Sequence, residues 1–294
     1  MFNKILVPLD GSEFSERALL YGRVLAKQLN SEIILLHVSH PEHKQYLHIQ
    51  RLYLERMAEI LTVQSKNIDG YDIKVSQYTE IGDPYENIIS TVQKNNVDLI
   101  LMTSVGYNFK ASGMGSVTER VCRSLPVPVI ILKPAFLTQN ENKNIIIKNI
   151  FVPIDGSSLS RLALPWAEGL AKEFSTNVTI FQMAQLIRPN ITTDTVEGID
   201  FVKLSEVEER RVNSEMSELS NEIKQKGIKV NTMVIVGYDG ASEIIEASKK
   251  SEAGIVVMST HGRSGIGRWV YGSVAGKVMH QIEIPLLLIN ARTG

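Results

Sequence analysis

Two kinds of short segment in this chain carry residues that could do chemistry. VPLDGS, from Val7, and VPIDGS, from Val152, each set an acid, a glycine and a serine directly after an apolar run. Asp10 and Asp155 are acceptors suited to a ribose hydroxyl or the edge of a base; an Asp-Gly-Ser run also serves simply to start a turn and cap a helix. The other segment is STHGRSGIGRWVYGSVAGKV, Ser259 to Val278, which follows the apolar run GIVVM and holds four glycines before a helical tail. Glycine has no Cβ, so backbone N–H groups in such a loop can approach an anion closely. A helix starting near Gly272 and Ser273 adds its first amides and the positive end of its dipole. Ser273 can cap that helix or donate to a phosphate oxygen. The competing reading is that Gly262, Gly265 and Gly267 only turn a corner. An acid facing a phosphate cradle suits a nucleotide, which is neutral at one end and anionic at the other.

These residues must be positioned by a scaffold, and the chain writes its scaffold twice. KILVPLDGSEFSERAL, from Lys4, returns as NIFVPIDGSSLSRLAL, from Asn149, so that Asp10 maps on Asp155. LILMTSVG with GMGSVTERV is answered by IVVMSTHG with VYGSVAGKV, which maps Gly115 on Gly272. Each half closes on a short apolar run introduced by proline, PVPVIILK and EIPLLLIN. This predicts two copies of one domain, 1–137 and 148–294, with a linker at 138–147 marked by the Asn, Gln and Lys cluster of TQNENKN.

Within each half, short β-branched and leucine-rich runs alternate with segments of three- and four-residue apolar spacing. Strands as uniformly apolar as DLILM or GIVVM are buried on both faces, which favours a parallel sheet covered by helices. The expected fold is α/β: two tandem doubly wound domains, each a five-stranded parallel sheet of order 3-2-1-4-5 with helices on both faces. In such a sheet, ligands bind beyond the carboxyl ends of the strands where the order reverses, between strands one and four. The acidic turn follows strand one and the glycine loop follows strand four.

Other classes of function are not favoured. No GxxxxGK[ST] run occurs, no GxGxxG follows the first strand, and the SGGxDS-like loop of an ATP pyrophosphatase is missing. His261 sits in the second loop without an apparent acid or nucleophile partner, so no catalytic residue is expected. His40, His43 and His48 match no zinc spacing, and no metal site is expected. A formal net charge of −1 argues against nucleic acid or an anionic membrane as partner. The single cysteine, Cys122, excludes an internal disulfide and reads as a small buried hydrophobe. His37 and His280 read as core or boundary residues, and RPNITTDTVEGIDF, within 187–202, as a long loop. No apolar run approaches the roughly 18 residues of a membrane span, and MFNKILVPLD reads as an immediate strand and not a signal peptide. A cytoplasmic setting is expected.

The two motifs together resemble the universal stress protein family over essentially the whole chain, as a tandem two-domain member. ATP-binding members carry Gly-x-x-Gly, nine residues, then Gly-Ser or Gly-Thr. The second half gives Ser259-Thr-His-Gly262, nine residues, then Gly272-Ser273, with serine in place of the first glycine. The first half gives Thr103-Ser-Val-Gly106, only eight residues, then Gly115-Ser116. The resemblance implies that Pro153, Asp155 and Met183 contact base and ribose, and that Ser259, Gly262, Gly272 and Ser273 line the phosphates. Their first-half counterparts are Pro8, Asp10, Val38, Thr103, Gly106, Gly115 and Ser116. It implies an adenine nucleotide, ATP with or without magnesium ahead of AMP or a cyclic nucleotide, with the second half the preferred site. It further implies a stress-response or regulatory role with an unidentified protein partner, and pairing of the two fifth strands into an intramolecular pseudo-dimer, with a further homodimer open. The alternatives are an interaction scaffold without nucleotide and a slow ATPase.

Overall fold

The structure is a computed structural model that describes residues 1–106, 113–124, 126–141, 145–186, 201–261 and 271–290, the side chain of Phe201 apart. The chain divides into two units after Ile146. The first begins with β1 (Lys4–Pro8), α1 (Glu13–Leu29), β2 (Glu32–Ser39) and α2 (Leu47–Gln64). It continues through β3 (Val75–Ile81), α3 (Pro84–Asn95), β4 (Leu99–Thr103), α4 (Ser116–Ser124), β5 (Val129–Leu132) and α5 (Pro134–Gln139). The second holds β6 (Asn149–Ile154), α6 (Ser158–Arg161), α7 (Leu164–Glu173), β7 (Asn177–Gln185), α8 (Phe201–Gln225), β8 (Val230–Gly237), α9 (Gly240–Lys250), β9 (Ile255–Ser259) and α10 (Ser273–Gln281). The last strand, β10 (Leu286–Ile289), groups with the first unit.

In the first unit the strand order is β3-β2-β1-β4-β5, all parallel, the doubly wound order expected from the alternation of apolar runs. β10 runs antiparallel along β5, with Leu287 opposite Ile130. Both strands are buried throughout, so the outer edge of β5 does not face solvent. In the second unit the parallel order β8-β7-β6-β9 repeats the same winding. The central strands β4 and β9 are buried at every residue, as expected of strands covered on both faces, whereas β3 and β8 are partly exposed.

Helix boundaries follow local chemistry. Ser12 caps α1, its Oγ accepting from the Ser15 amide, and Asn30 ends it in the left-handed region at φ 53°. The matching helix of the second unit is broken in two. Ser157 caps α6, but the chain restarts at α7 with Pro165 in the first turn. Proline lacks the N–H needed to continue the ladder from α6. Residues 187–200 of the expected long loop lie outside the described residues, and Phe201 and Val202 belong to α8 instead.

Among the described residues, no helix is long and apolar enough to cross a membrane. Cys122 is buried on α4 as a free thiol. His37 is half-buried with Nδ1 2.8 Å from the Leu9 carbonyl oxygen, while His280 is exposed on α10 and not part of a core.

Candidate functional site

The acidic turn is built identically in both units. Asp10 Oδ1 accepts from the Ser12 amide at 3.0 Å and the Ser12 hydroxyl at 2.6 Å. Asp155 Oδ1 accepts from the Ser157 amide and hydroxyl at the same two distances. The glycine between them takes φ +80° at Gly11 and +84° at Gly156, a backbone that residues with a Cβ rarely adopt. Asp therefore starts the turn and Ser caps the helix, a division of labour that motif reading leaves open. The turn uses Oδ1. In the first unit Oδ2 of Asp10 lies against Gly106 at the end of β4, where a Cβ on the glycine would come within 2.0 Å of it. The acid thus faces the other motif across the switch point. Gly262, the matching residue of the second unit, lies outside the described residues, as do Gly265, Gly267, Arg263 and Arg268.

The helix after strand four is anchored by the second motif glycine. Gly115 N–H donates to the Ser104 carbonyl at 2.7 Å, and Gly272 N–H donates to the Thr260 carbonyl at 3.0 Å. These two amides are committed to the scaffold and cannot also serve an anion. The first bonds within the helices run from Glu119 N–H to Gly115 O and from Gly276 N–H to Gly272 O. The amides of residues 116–118 and 273–275 thus precede the first helical bond, where orphan donors and the dipole favour negative charge.

Each unit gathers these parts around one cavity. The first, of about 560 Å³, is lined by all seven residues assigned to it from sequence: Pro8, Asp10, Val38, Thr103, Gly106, Gly115 and Ser116. The second, of about 310 Å³, is lined by Pro153, Asp155, Met183, Ser259, Gly272 and Ser273. Both volumes fall in the range of roughly 300–1,000 Å³ usual for small-molecule sites. Either could take a purine nucleoside against its apolar wall, with phosphates over the helix start.

Several lining residues carry no motif signal. Met102, Val105 and Ile88 in the first unit, and Phe181, Ile244 and Met258 in the second, supply apolar wall. They are ordinary core residues of their strands and helices until the fold turns them toward the hollow. His261 also lines the second cavity, where Val105 stands in the first. In each unit an ion pair joins the start of the helix after strand three to the helix after strand four. Arg120 reaches Asp83 at 3.3 Å and stacks over the Tyr85 ring at 4.0 Å; Lys277 reaches Asp239 at 3.7 Å. The Asp239 carboxyl is held below its usual range by the Ser242 hydroxyl, the Ala241 amide and Lys277. Behind Asp10, burial and the neighbouring Glu16 push the Tyr53 hydroxyl well above its ordinary pKa, so it stays a protonated donor.

The universal stress protein family model matches residues 1–133 and again 147–290. The chain belongs to the universal stress protein family. The two matches make it a tandem member. Universal stress protein MJ0531 of Methanocaldococcus jannaschii is 29% identical over 143 residues, covering 49% of this chain and 82% of its own. Universal stress protein Rv2005c of Mycobacterium tuberculosis is 22% identical and matches the tandem as a whole, covering 97% of this chain and 96% of its own. A crystal structure of a universal stress protein from Archaeoglobus fulgidus superposes with a TM-score of 0.69 at 21% identity, over 98% of this chain and 96% of the other. That likeness concerns the fold.

Proposed function

We propose that this universal stress protein binds an adenine nucleotide in each unit, at the carboxyl ends of strands one and four, and acts as a regulator whose occupancy alters partner choice. The observation that carries this reading is convergence. Four separate stretches of chain in each unit, the acidic turn, strand two, the end of strand four and the start of the following helix, line one cavity. The hydrogen-bonded acid and the apolar wall suit the nucleoside end. The first-turn amides, which precede the first helical bond, and the hydroxyls of Ser116 and Ser273 suit the phosphates. ATP is favoured over AMP because three orphan amides per helix start can serve more than one phosphate group. The scaffold reading draws support from Thr103 and Ser259 standing where ATP-binding members have glycine, and from the first loop being one residue short.

Equilibrium dialysis of the full chain against millimolar ATP, AMP and cyclic AMP tests the proposal. Retained ATP with negligible phosphate release is the expected result. Absence of any bound adenine nucleotide would favour the scaffold, and phosphate release well above a Gly272→Asp control would favour an ATPase.

A further inference from the structure

In the second unit, β6, β7 and β8 frame another hollow at their amino ends, away from the cavity at the carboxyl ends. Its volume is about 360 Å³, within the roughly 300–1,000 Å³ of small-molecule sites. Its floor is polar where a sheet interior is normally apolar: Asn149 and Thr179 are 8% and 3% exposed. Thr179 Oγ1 donates to Asn149 Oδ1 at 3.0 Å, and Asn149 Nδ2 donates to the Ser251 carbonyl at 2.8 Å, so both side chains are fixed. Asn177, Asn231 and Thr232 stand around that floor, exposed and with no side-chain hydrogen bond to any described residue.

The first unit shows the same place closed. Strand registers match Lys4 to Asn149, Glu32 to Asn177, Ile34 to Thr179, Ser76 to Asn231 and Tyr78 to Met233. Asn96 after α3 and Glu252 after α9 take φ 52° and 51°, which matches Asn95 to Ser251. In the first unit Lys4 Nζ donates to the Asn95 carbonyl and the Tyr78 hydroxyl to Asn95 Oδ1, both at 2.9 Å, while Ser76 donates to Glu32. Its polar groups are thus paired with one another, and a tyrosine spans the groove. The second unit has Asn149 for the lysine and Met233 for the tyrosine, both shorter, and the space between them is open.

We propose that this hollow binds a small neutral polyhydroxylated molecule, an open-chain polyol or a monosaccharide. Each amide or hydroxyl around it offers donor and acceptor together, which complements a ligand hydroxyl that is also both. Met233 supplies an apolar patch for the C–H face of the ligand. The two charged residues that line it, Lys148 and Glu252, are exposed and opposite in sign, so no net field selects an ion. The site stands apart from the nucleotide reading, since Asn149 and Pro153 lie toward opposite ends of β6.

The full chain, isotope-labelled at nitrogen and at the methionine methyl groups, is titrated with glucose and with sorbitol and followed by NMR. The side-chain amide signals of Asn177 and Asn231 are assigned by their loss in Asn177→Ser and Asn231→Ser, and the Met233 methyl by its loss in Met233→Leu. At least one of the two compounds shifts all three signals saturably. Met233→Tyr, which rebuilds the closure of the first unit, weakens that binding about tenfold or more. Sodium glutamate at equal concentration does not saturate the same signals. The proposal is overturned if neither compound gives a saturable shift, if Met233→Tyr binds as the unmodified chain does, or if glutamate saturates the signals as well. Thermal unfolding checks that each variant folds. Should Met233→Tyr fail to fold, Asn177→Ala combined with Asn231→Ala, at two exposed positions, takes its place. The Met233 methyl then reports a loss of about tenfold or more, and an unchanged affinity overturns the proposal.

Discussion

Asp10 and Gly106 touch across the switch point of the first sheet. A Cβ at position 106 would come within 2.0 Å of Oδ2, and the carboxylate cannot simply swing away because Oδ1 is held by Ser12 at 3.0 and 2.6 Å. Gly106→Ala therefore displaces the acid from the cavity wall. It lowers the ATP affinity of the first cavity about tenfold, or ~1.4 kcal/mol. Added to Asp10→Ala it costs nothing further, since the acid it displaces is already gone. Titration calorimetry on the single and double variants reads this directly; independent, additive losses would contradict it.

The turn and the ligand make different demands on Asp155. The turn needs one acceptor oxygen for the Ser157 amide and hydroxyl, and an asparagine supplies one. Asp155→Ala removes both bonds and lowers the unfolding free energy by about 1–2 kcal/mol. Asp155→Asn is expected to lose less than half as much, while both variants weaken ATP binding in the second cavity. Urea unfolding beside calorimetry separates the two effects. Equal destabilisation by Asn and Ala would mean that the turn depends on charge.

Gly272 directly precedes α10, the position where aspartate is among the preferred helix caps. Gly272→Asp keeps or slightly raises the melting temperature, because the new carboxylate meets orphan amides and the positive end of the dipole. The same carboxylate occupies the place of a phosphate, so ATP is lost from the second cavity and kept in the first. A variant that melts several degrees lower and binds ATP normally would show that the helix start is structural alone.

The repeat, the alternation of strands and helices and the converging motifs were legible because each depends on local spacing. The uniformly apolar runs of β4 and β9 report burial on both faces, and the paired offsets report duplication. Other features depend on what the fold brings together. Pro165 breaks the helix that α1 forms unbroken, although the preceding SSLSRLAL resembles SEFSERAL. PLLLI and PVIIL are apolar enough to pair in either direction, and only coordinates reveal Leu287 opposite Ile130 in an antiparallel register. The glycines of the second motif look like amide donors for an anion, yet Gly115 and Gly272 spend their N–H groups on Ser104 and Thr260. His261 looked isolated in sequence because its orienting partner is a threonine hydroxyl and not an acid.

Away from the cavities, Lys133 and Cys122 set opposite pH dependences within the first unit. Burial lowers the Lys133 ammonium from 10.5 to about 8, so between those values the unfolded chain binds more protons and stability rises with pH. Burial pushes the Cys122 thiol up to about 12, so above its ordinary value of 9.0 the native chain holds the extra proton and stability falls with pH. Urea unfolding should therefore show stability rising from pH 8 to 9 and then levelling. Lys133→Met removes the rise, and Cys122→Ala extends it toward pH 10. A rise that survives Lys133→Met would assign it to another group.

The stoichiometry of ATP on the native chain tests the account most directly, and native mass spectrometry counts it. Two nucleotides on the unmodified protein, one on Asp10→Ala, one on Asp155→Ala and none on the double variant are the predicted counts. No bound nucleotide on the unmodified chain, or an unchanged count in the double variant that still folds, would contradict the assignment of both cavities.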